Sequence, residues 1–143
     1  MPVKKNSFFE RTSSGIPGLD QLTNGGFKKG SNIIVSGTPG TGKTTLSLQF
    51  LVEGAKKGSA GLYISLSENT DSILENSKQF SNWELDELIK KKLIHFVLYK
   101  KFASKQSTEE KSAKVTRLVD QIQFYLNEFK NIERIVIDSI SLF

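Results

Sequence analysis

The run Gly37-Thr38-Pro39-Gly40-Thr41-Gly42-Lys43-Thr44 constrains this chain more than any other feature. It fits G-x-x-x-x-G-K-[ST], follows the apolar stretch Ile33-Ile34-Val35 and precedes a segment of helical periodicity. That setting makes the pattern specific. Glycines let the turn curl until successive backbone N–H groups point inward, and the start of the following helix adds its positive dipole end. The nest so formed suits a triphosphate. Lys43 can bridge its β- and γ-phosphates, and the Thr44 hydroxyl can ligate magnesium. The predicted nucleotide-binding residues are Gly37, Thr38, Pro39, Gly40, Thr41, Gly42, Lys43, Thr44 and Thr45.

Around this loop the chain alternates strand-like and helix-like segments, the signature of an α/β domain with a mostly parallel sheet. Residues 11–30 read as a lead-in loop punctuated by Gly15, Pro17, Gly18, Gly25, Gly26 and Gly30. Strands are predicted from Asn32 to Ser36, Gly61 to Leu66, Leu93 to Tyr99 and Arg134 to Asp138. Helices are predicted from Thr44 to about Lys57, Asp71 to about Phe80, Trp83 to Lys91 and Lys111 to Phe129. In the last helix Val115, Leu118, Val119, Ile122, Leu126 and Phe129 recur at helical spacing, so that stripe is expected to pack on the sheet. The polar segment from Lys100 to Glu110 reads as a mobile loop.

Two further sites carry chemistry. Ile135-Val136-Ile137-Asp138-Ser139 is an apolar strand ending in aspartate, a Walker B pattern. In a fold with this phosphate loop such an aspartate holds magnesium, often through water, so Thr44 and Asp138 are the candidate metal ligands. Glu68 follows the second strand, at the carboxyl end of a parallel sheet where ligands bind. It could orient or deprotonate an attacking water; the competing reading is an acid near a helix start ahead of Asp71. Lys43 and Glu68 are therefore the candidate catalytic residues.

Composition narrows the rest. A length of 143 residues suits one domain or a piece of a larger one. With 37% apolar and 24% charged residues the chain is globular rather than disordered. It contains no cysteine, which excludes disulfides and cysteine-based metal sites. The single histidine, His95, lies in the apolar run Leu93-Ile94-His95-Phe96-Val97 and cannot build a multi-histidine centre. No window is apolar enough for a membrane span, and no secretory pattern opens the chain, so a cytoplasmic location is expected. The net charge of +5 sits in scattered lysine pairs and one triplet. Without interleaved arginines or aromatics these read as solvated surface; a nucleic-acid partner is possible but not indicated.

At a longer range the residues resemble the KaiC-like domains of the RecA superfamily. The resemblance is carried by Gly15-Ile16-Pro17-Gly18-Leu19-Asp20, Gly25-Gly26, Gly30-Ser31, the phosphate loop with Thr44-Thr45-Leu46, Gln49-Phe50 and Glu53-Gly54-Ala55. Leu62-Tyr63-Ile64-Ser65-Leu66, Trp83-Glu84-Leu85-Asp86-Glu87-Leu88 and Asp138-Ser139 extend it. It runs from about residue 11 onward and leaves residues 1–10 as an N-terminal tail. It implies a RecA-like P-loop NTPase core, a mostly parallel sheet with flanking helices, that hydrolyses ATP with Mg2+. Such domains often form homo-oligomeric rings or filaments with nucleotide between subunits. Circadian-clock ATPases, archaeal recombinase paralogues and archaellum accessory ATPases are of this kind. The implied function is an ATPase that drives assembly or signalling. The alternatives are a nucleotide-binding switch with little turnover and a DNA-binding recombinase paralogue.

The sequence departs from that family in two places. The family often carries two adjacent glutamates after the second strand; here Ser67 takes the first position and Glu68 the second. If the replaced acid is the water-activating one, hydrolysis is slow while binding persists. In RecA-type sheets a strand following Walker B also lies between it and the phosphate-loop strand. Residues 11–143 are thus expected to form a partial domain, truncated after the Walker B strand. Its Asn32–Ser36 and Arg134–Asp138 edges are expected to lack a partner, and it should turn over little ATP by itself.

Overall fold

The computed structural model describes residues 9–99 and 111–139. Along the chain come β1 (Arg11–Thr12), α1 (Pro17–Leu22), β2 (Phe27–Lys28), α2 (Lys43–Lys56), β3 (Ala60–Ser65) and α3 (Thr70–Ser77). A 3-10 turn (Ser81–Trp83), α4 (Leu85–Lys90), β4 (Ile94–Leu98), α5 (Lys111–Glu128) and β5 (Ile132–Asp138) follow. The polar segment from Lys100 to Glu110 lies outside the described residues.

The main sheet has three strands in the order β4-β3-β5, all parallel. β3 is central and every one of its residues is buried, as its continuous small-and-apolar run requires of a strand covered on both faces. On one face α2 sets Leu48, Leu51, Val52 and Ala55 against Tyr63, Ile94 and Val136, with Trp83, Leu85 and Leu88 closing the side. On the other, Leu118 of α5 meets Leu62, Ile64 and Leu66, with Ile122, Tyr125 and Phe129 beside it. The expected α/β architecture, a parallel sheet flanked by helices, is what the chain forms.

Three expectations need correction. Residues 11–30 are not a bare loop: β1 and β2 pair antiparallel, Arg11 opposite Lys28 and Thr12 opposite Phe27, with α1 between them. Pro17 opens α1, where its fixed φ suits the first turn and its missing N–H costs nothing. Asn32–Ser36 is not a strand in a ladder. Ile33, Ile34 and Val35 are 48%, 84% and 41% exposed, where a buried run was expected. Among the described residues no strand lies alongside to bond this stretch, and apolar character alone cannot supply one. The stripe on α5 packs only in part. Leu118, Ile122 and Phe129 join the core together with Tyr125, whereas Val115, Val119 and Leu126 stay exposed. One flank of the helix packs on the sheet, and the flank bearing Val115, Val119 and Leu126 stays open among the described residues.

One side chain braces the ends of three segments. Arg134 on β5 is buried, and its Nη1 donates to the carbonyls of Ser13 (2.9 Å) and Phe50 (2.6 Å). Its guanidinium lies 4.5 Å from the centre of the Phe50 ring, a cation–π distance. Gly54 on α2 makes room for it: a Cβ there would lie 2.5 Å from Arg134 Cδ and Nε. Gly54→Ala gains about 1 kcal/mol of helix propensity but overpacks a pinned group, which costs about 1–3 kcal/mol. The net outcome expected from urea unfolding is a loss of up to about 2 kcal/mol, and a stabilised variant would show that the guanidinium is not pinned.

His95 stacks on Phe129 with ring centres 3.8 Å apart. Burial lowers its pKa below the ordinary 6.5, so the folded chain favours the neutral ring. The sign follows by linkage: below pH 6.5 the unfolded state takes up a proton that the folded state resists, and stability falls with falling pH. A urea midpoint followed from pH 8 down to about pH 5 should show this decline in the wild type, and His95→Phe should flatten it.

Candidate functional site

The phosphate loop sits where α2 begins, above the carboxyl end of the sheet. Gly42 is the residue before α2 and has φ +89°, a left-handed conformation that a Cβ disfavours. Gly40, at φ +81°, makes the other half of the bend. The loop holds itself closed through side chains: Thr41 Oγ1 donates to the Thr38 carbonyl at 2.8 Å. Lys43 Nζ donates to the carbonyls of Gly37 (2.8 Å) and Thr38 (2.9 Å). The ammonium thus lies across the mouth of the loop.

The parallel register carries β5 up to this loop. Ser65 at the end of β3 stands opposite Asp138 at the end of β5. The Leu66 N–H donates to the Asp138 carbonyl at 2.7 Å. The Asp138 carboxylate then meets α2: Thr44 Oγ1 donates to its Oδ2 at 2.7 Å across a sequence separation of 94 residues. The same oxygen accepts the Tyr63 hydroxyl at 2.5 Å. Tyr63 was read from sequence only as part of an apolar strand. The available signal was that a buried phenol needs a partner for its hydroxyl. Burial first, and the Asp138 carboxylate second, raise the Tyr63 pKa well above its usual value, so it stays a donor.

Glu68 is exposed and lines a cleft of about 350 Å³ with Gly40, Gly42, Lys43, Thr44 and Thr45. Leu48, Ile73, Asn76, Ser77, Gln79 and Phe80 form its far wall. The Ser65 hydroxyl exchanges hydrogen bonds with the Glu68 main chain, donating to its carbonyl and accepting from its N–H, which fixes the turn after β3. The competing reading of Glu68 as the acid at the helix start is taken up by another residue: Asn69 is the N-cap of α3, its side chain accepting from the Asp71 N–H at 3.1 Å. Ser67 is exposed beside Glu68.

Chemically, the cleft offers loop amides, an ammonium, threonine hydroxyls and the Glu68 carboxylate, with Asp138 bonded to Thr44 at its edge. A threonine hydroxyl and an aspartate are hard oxygen donors of the kind magnesium takes. Among the described residues no three histidine, aspartate or glutamate side chains converge on a metal position. A cation here would rely on phosphate oxygens and water for its remaining ligands, which is how Mg2+ is commonly bound. Among the described residues no helix is long and apolar enough to cross a membrane.

A Cβ at position 42 meets open space, so Gly42→Ala probes backbone conformation alone. It adds about 1–2 kcal/mol of left-handed strain that the loop relieves by opening. ATP affinity by isothermal titration calorimetry should fall about tenfold, while the melting temperature, set by the core, moves by only a few degrees.

The family model for the KaiC ATPase matches residues 12–143. A UPF0273 protein of Methanopyrus kandleri is 30% identical over 143 residues, covering 92% of this chain and 54% of its own length. A UPF0273 protein of Thermotoga maritima is 31% identical over 139 residues, covering 92% and 56%. The circadian clock oscillator protein KaiC of Rippkaea orientalis is 33% identical over 127 residues, covering 88% of this chain and 24% of its own. The chain therefore spans about half the length of the two UPF0273 relatives and about a quarter of the clock protein.

Proposed function

The chain belongs to the KaiC family of ATPase domains, and from that premise we propose that it binds ATP with Mg2+ in the cleft above β3 and β5 and hydrolyses it. The observation that carries the reading is the 2.7 Å bond between Thr44 and Asp138, which brings the phosphate loop and the end of β5 to one point.

In this reading the amides from Thr38 to Thr45 and the N-terminus of α2 receive the phosphates. Lys43 releases the carbonyls of Gly37 and Thr38 and takes phosphate oxygens in their place. Thr44 and Asp138 would hold Mg2+, directly or through water, and the ion would supply charge neutralisation on the phosphates. Glu68 faces the same cleft and accepts the proton of, or orients, the water that attacks in line. Catalysis then rests on positioning and charge rather than on covalent chemistry. In a longer protein, assembly into a homo-oligomeric ring or filament and coupling of turnover to that assembly belong to the same proposal.

A second reading, ATP binding with little turnover, is favoured by one observation. Glu68 is the sole carboxylate among the described side chains lining the cleft, and its neighbour is Ser67. The two readings share a binding step and separate at the chemical one.

Calorimetry and phosphate release test both. Lys43→Ala is expected to weaken Mg·ATP binding by at least about tenfold, and unchanged binding would refute the site. Glu68→Gln should leave binding intact and lower turnover about 10²-fold or more. Turnover that is negligible in the wild type and unmoved by Glu68→Gln selects the switch.

A further inference from the structure

Every residue of β3 is buried, and Tyr63 is the one whose side chain bonds the Asp138 carboxylate. Its ring stacks on Phe96, with centres 5.2 Å apart, and lies within the core formed with α2. A phenylalanine would fill that space equally well. Packing therefore accounts for the ring and leaves the hydroxyl unexplained.

The hydroxyl reaches Asp138 Oδ2, the same oxygen that Thr44 Oγ1 reaches. A carboxylate oxygen offers about two lone-pair positions. Two donors at 2.5 and 2.7 Å fill Oδ2 and leave Oδ1 as the oxygen the group can offer outward. They also hold the carboxylate from two sides, one on α2 and one on β3, so it cannot swing about its own χ angles. Thr44 in turn spends its proton on Asp138 and keeps its oxygen lone pairs free.

Resting on the Mg·ATP reading above, we propose that Tyr63 is a positioning residue for the divalent cation: its hydroxyl fixes the Asp138 carboxylate so that Oδ1 and the Thr44 oxygen face the ion together. Tyr63 touches neither nucleotide nor metal in this scheme and acts through Asp138. Outer partners of this kind are commonly worth ten- to a hundredfold in metal affinity.

The test is Tyr63→Phe in the 143-residue chain, with Mn2+ as the probe ion. ATP affinity measured in EDTA is expected to stay within about twofold of wild type, because the loop is untouched. The affinity of the ATP complex for Mn2+, followed by electron paramagnetic resonance, is expected to fall about tenfold or more. A merely structural role would leave that ratio unchanged. A variant that binds Mn2+ as tightly as wild type overturns this inference alone, whereas a wild type that binds no Mn2+ with ATP overturns it together with its premise. A second measurement needs no change at Tyr63. The chain has three tyrosines, so 13Cζ-tyrosine labelling, with Tyr99→Phe and Tyr125→Phe for assignment, isolates its signal. That resonance should shift when Mg2+ joins the ATP complex, and a stationary one counts against the proposal.

Discussion

A single carboxylate oxygen joins the three segments on which the site depends. Asp138 Oδ2 accepts from Thr44 on α2 and from Tyr63 on β3, while Asp138 itself ends β5. Without that convergence the phosphate loop would be a glycine-rich turn with no side-chain bond to the sheet beneath it. An ionised group with two short hydrogen bonds in a partly buried position is worth more than a surface contact, because removing either donor leaves charge poorly solvated. The loop, the helix it opens and the sheet edge below it are thus set in one frame.

A second tie joins α2 and β5. Arg134 near the start of β5 donates to the Phe50 carbonyl in the middle of α2, and Gly54 one turn later allows the approach. It also holds Ser13, bringing the N-terminal segment under the helix. Helix and strand are therefore bonded at two points, with Leu48, Leu51 and Val52 packed against Tyr63 and Val136. Two fixed points leave little room for sliding, so the separation between Thr44 and Asp138 is set by the core and not by the loop.

What was legible in the sequence was local. The loop, α2 and the buried run of β3 follow from residue type and spacing within one short stretch, and each formed within a few residues of its expected bounds. What was not legible depended on neighbours distant in sequence. Ile33-Ile34-Val35 has the composition of a core strand, yet it lies exposed, because a strand exists only where another offers hydrogen bonds. Val115, Val119 and Leu126 match the helical period as well as Leu118 does, and periodicity alone could not say which side the sheet would take. The pairing of Arg11 with Lys28 spans four glycines and a helix, and no alternation of residue type announces a two-residue strand. In the sequence Tyr63 is one residue of a strand, and its hydroxyl acquires a meaning only when β5 is laid beside β3.

The posture of Lys43 has a consequence for how an anion is received. A lysine side chain gives up about 1.5–2 kcal/mol of rotamer freedom when it is ordered, and here the carbonyls of Gly37 and Thr38 order it. In the proposed ATP complex, a phosphate would meet a charge already in place and displace two neutral carbonyls. The exchange is a handover between acceptors rather than a capture by a waving arm. The curvature of the loop is thus tied to its own cation, which bonds two carbonyls on the opposite side of the turn.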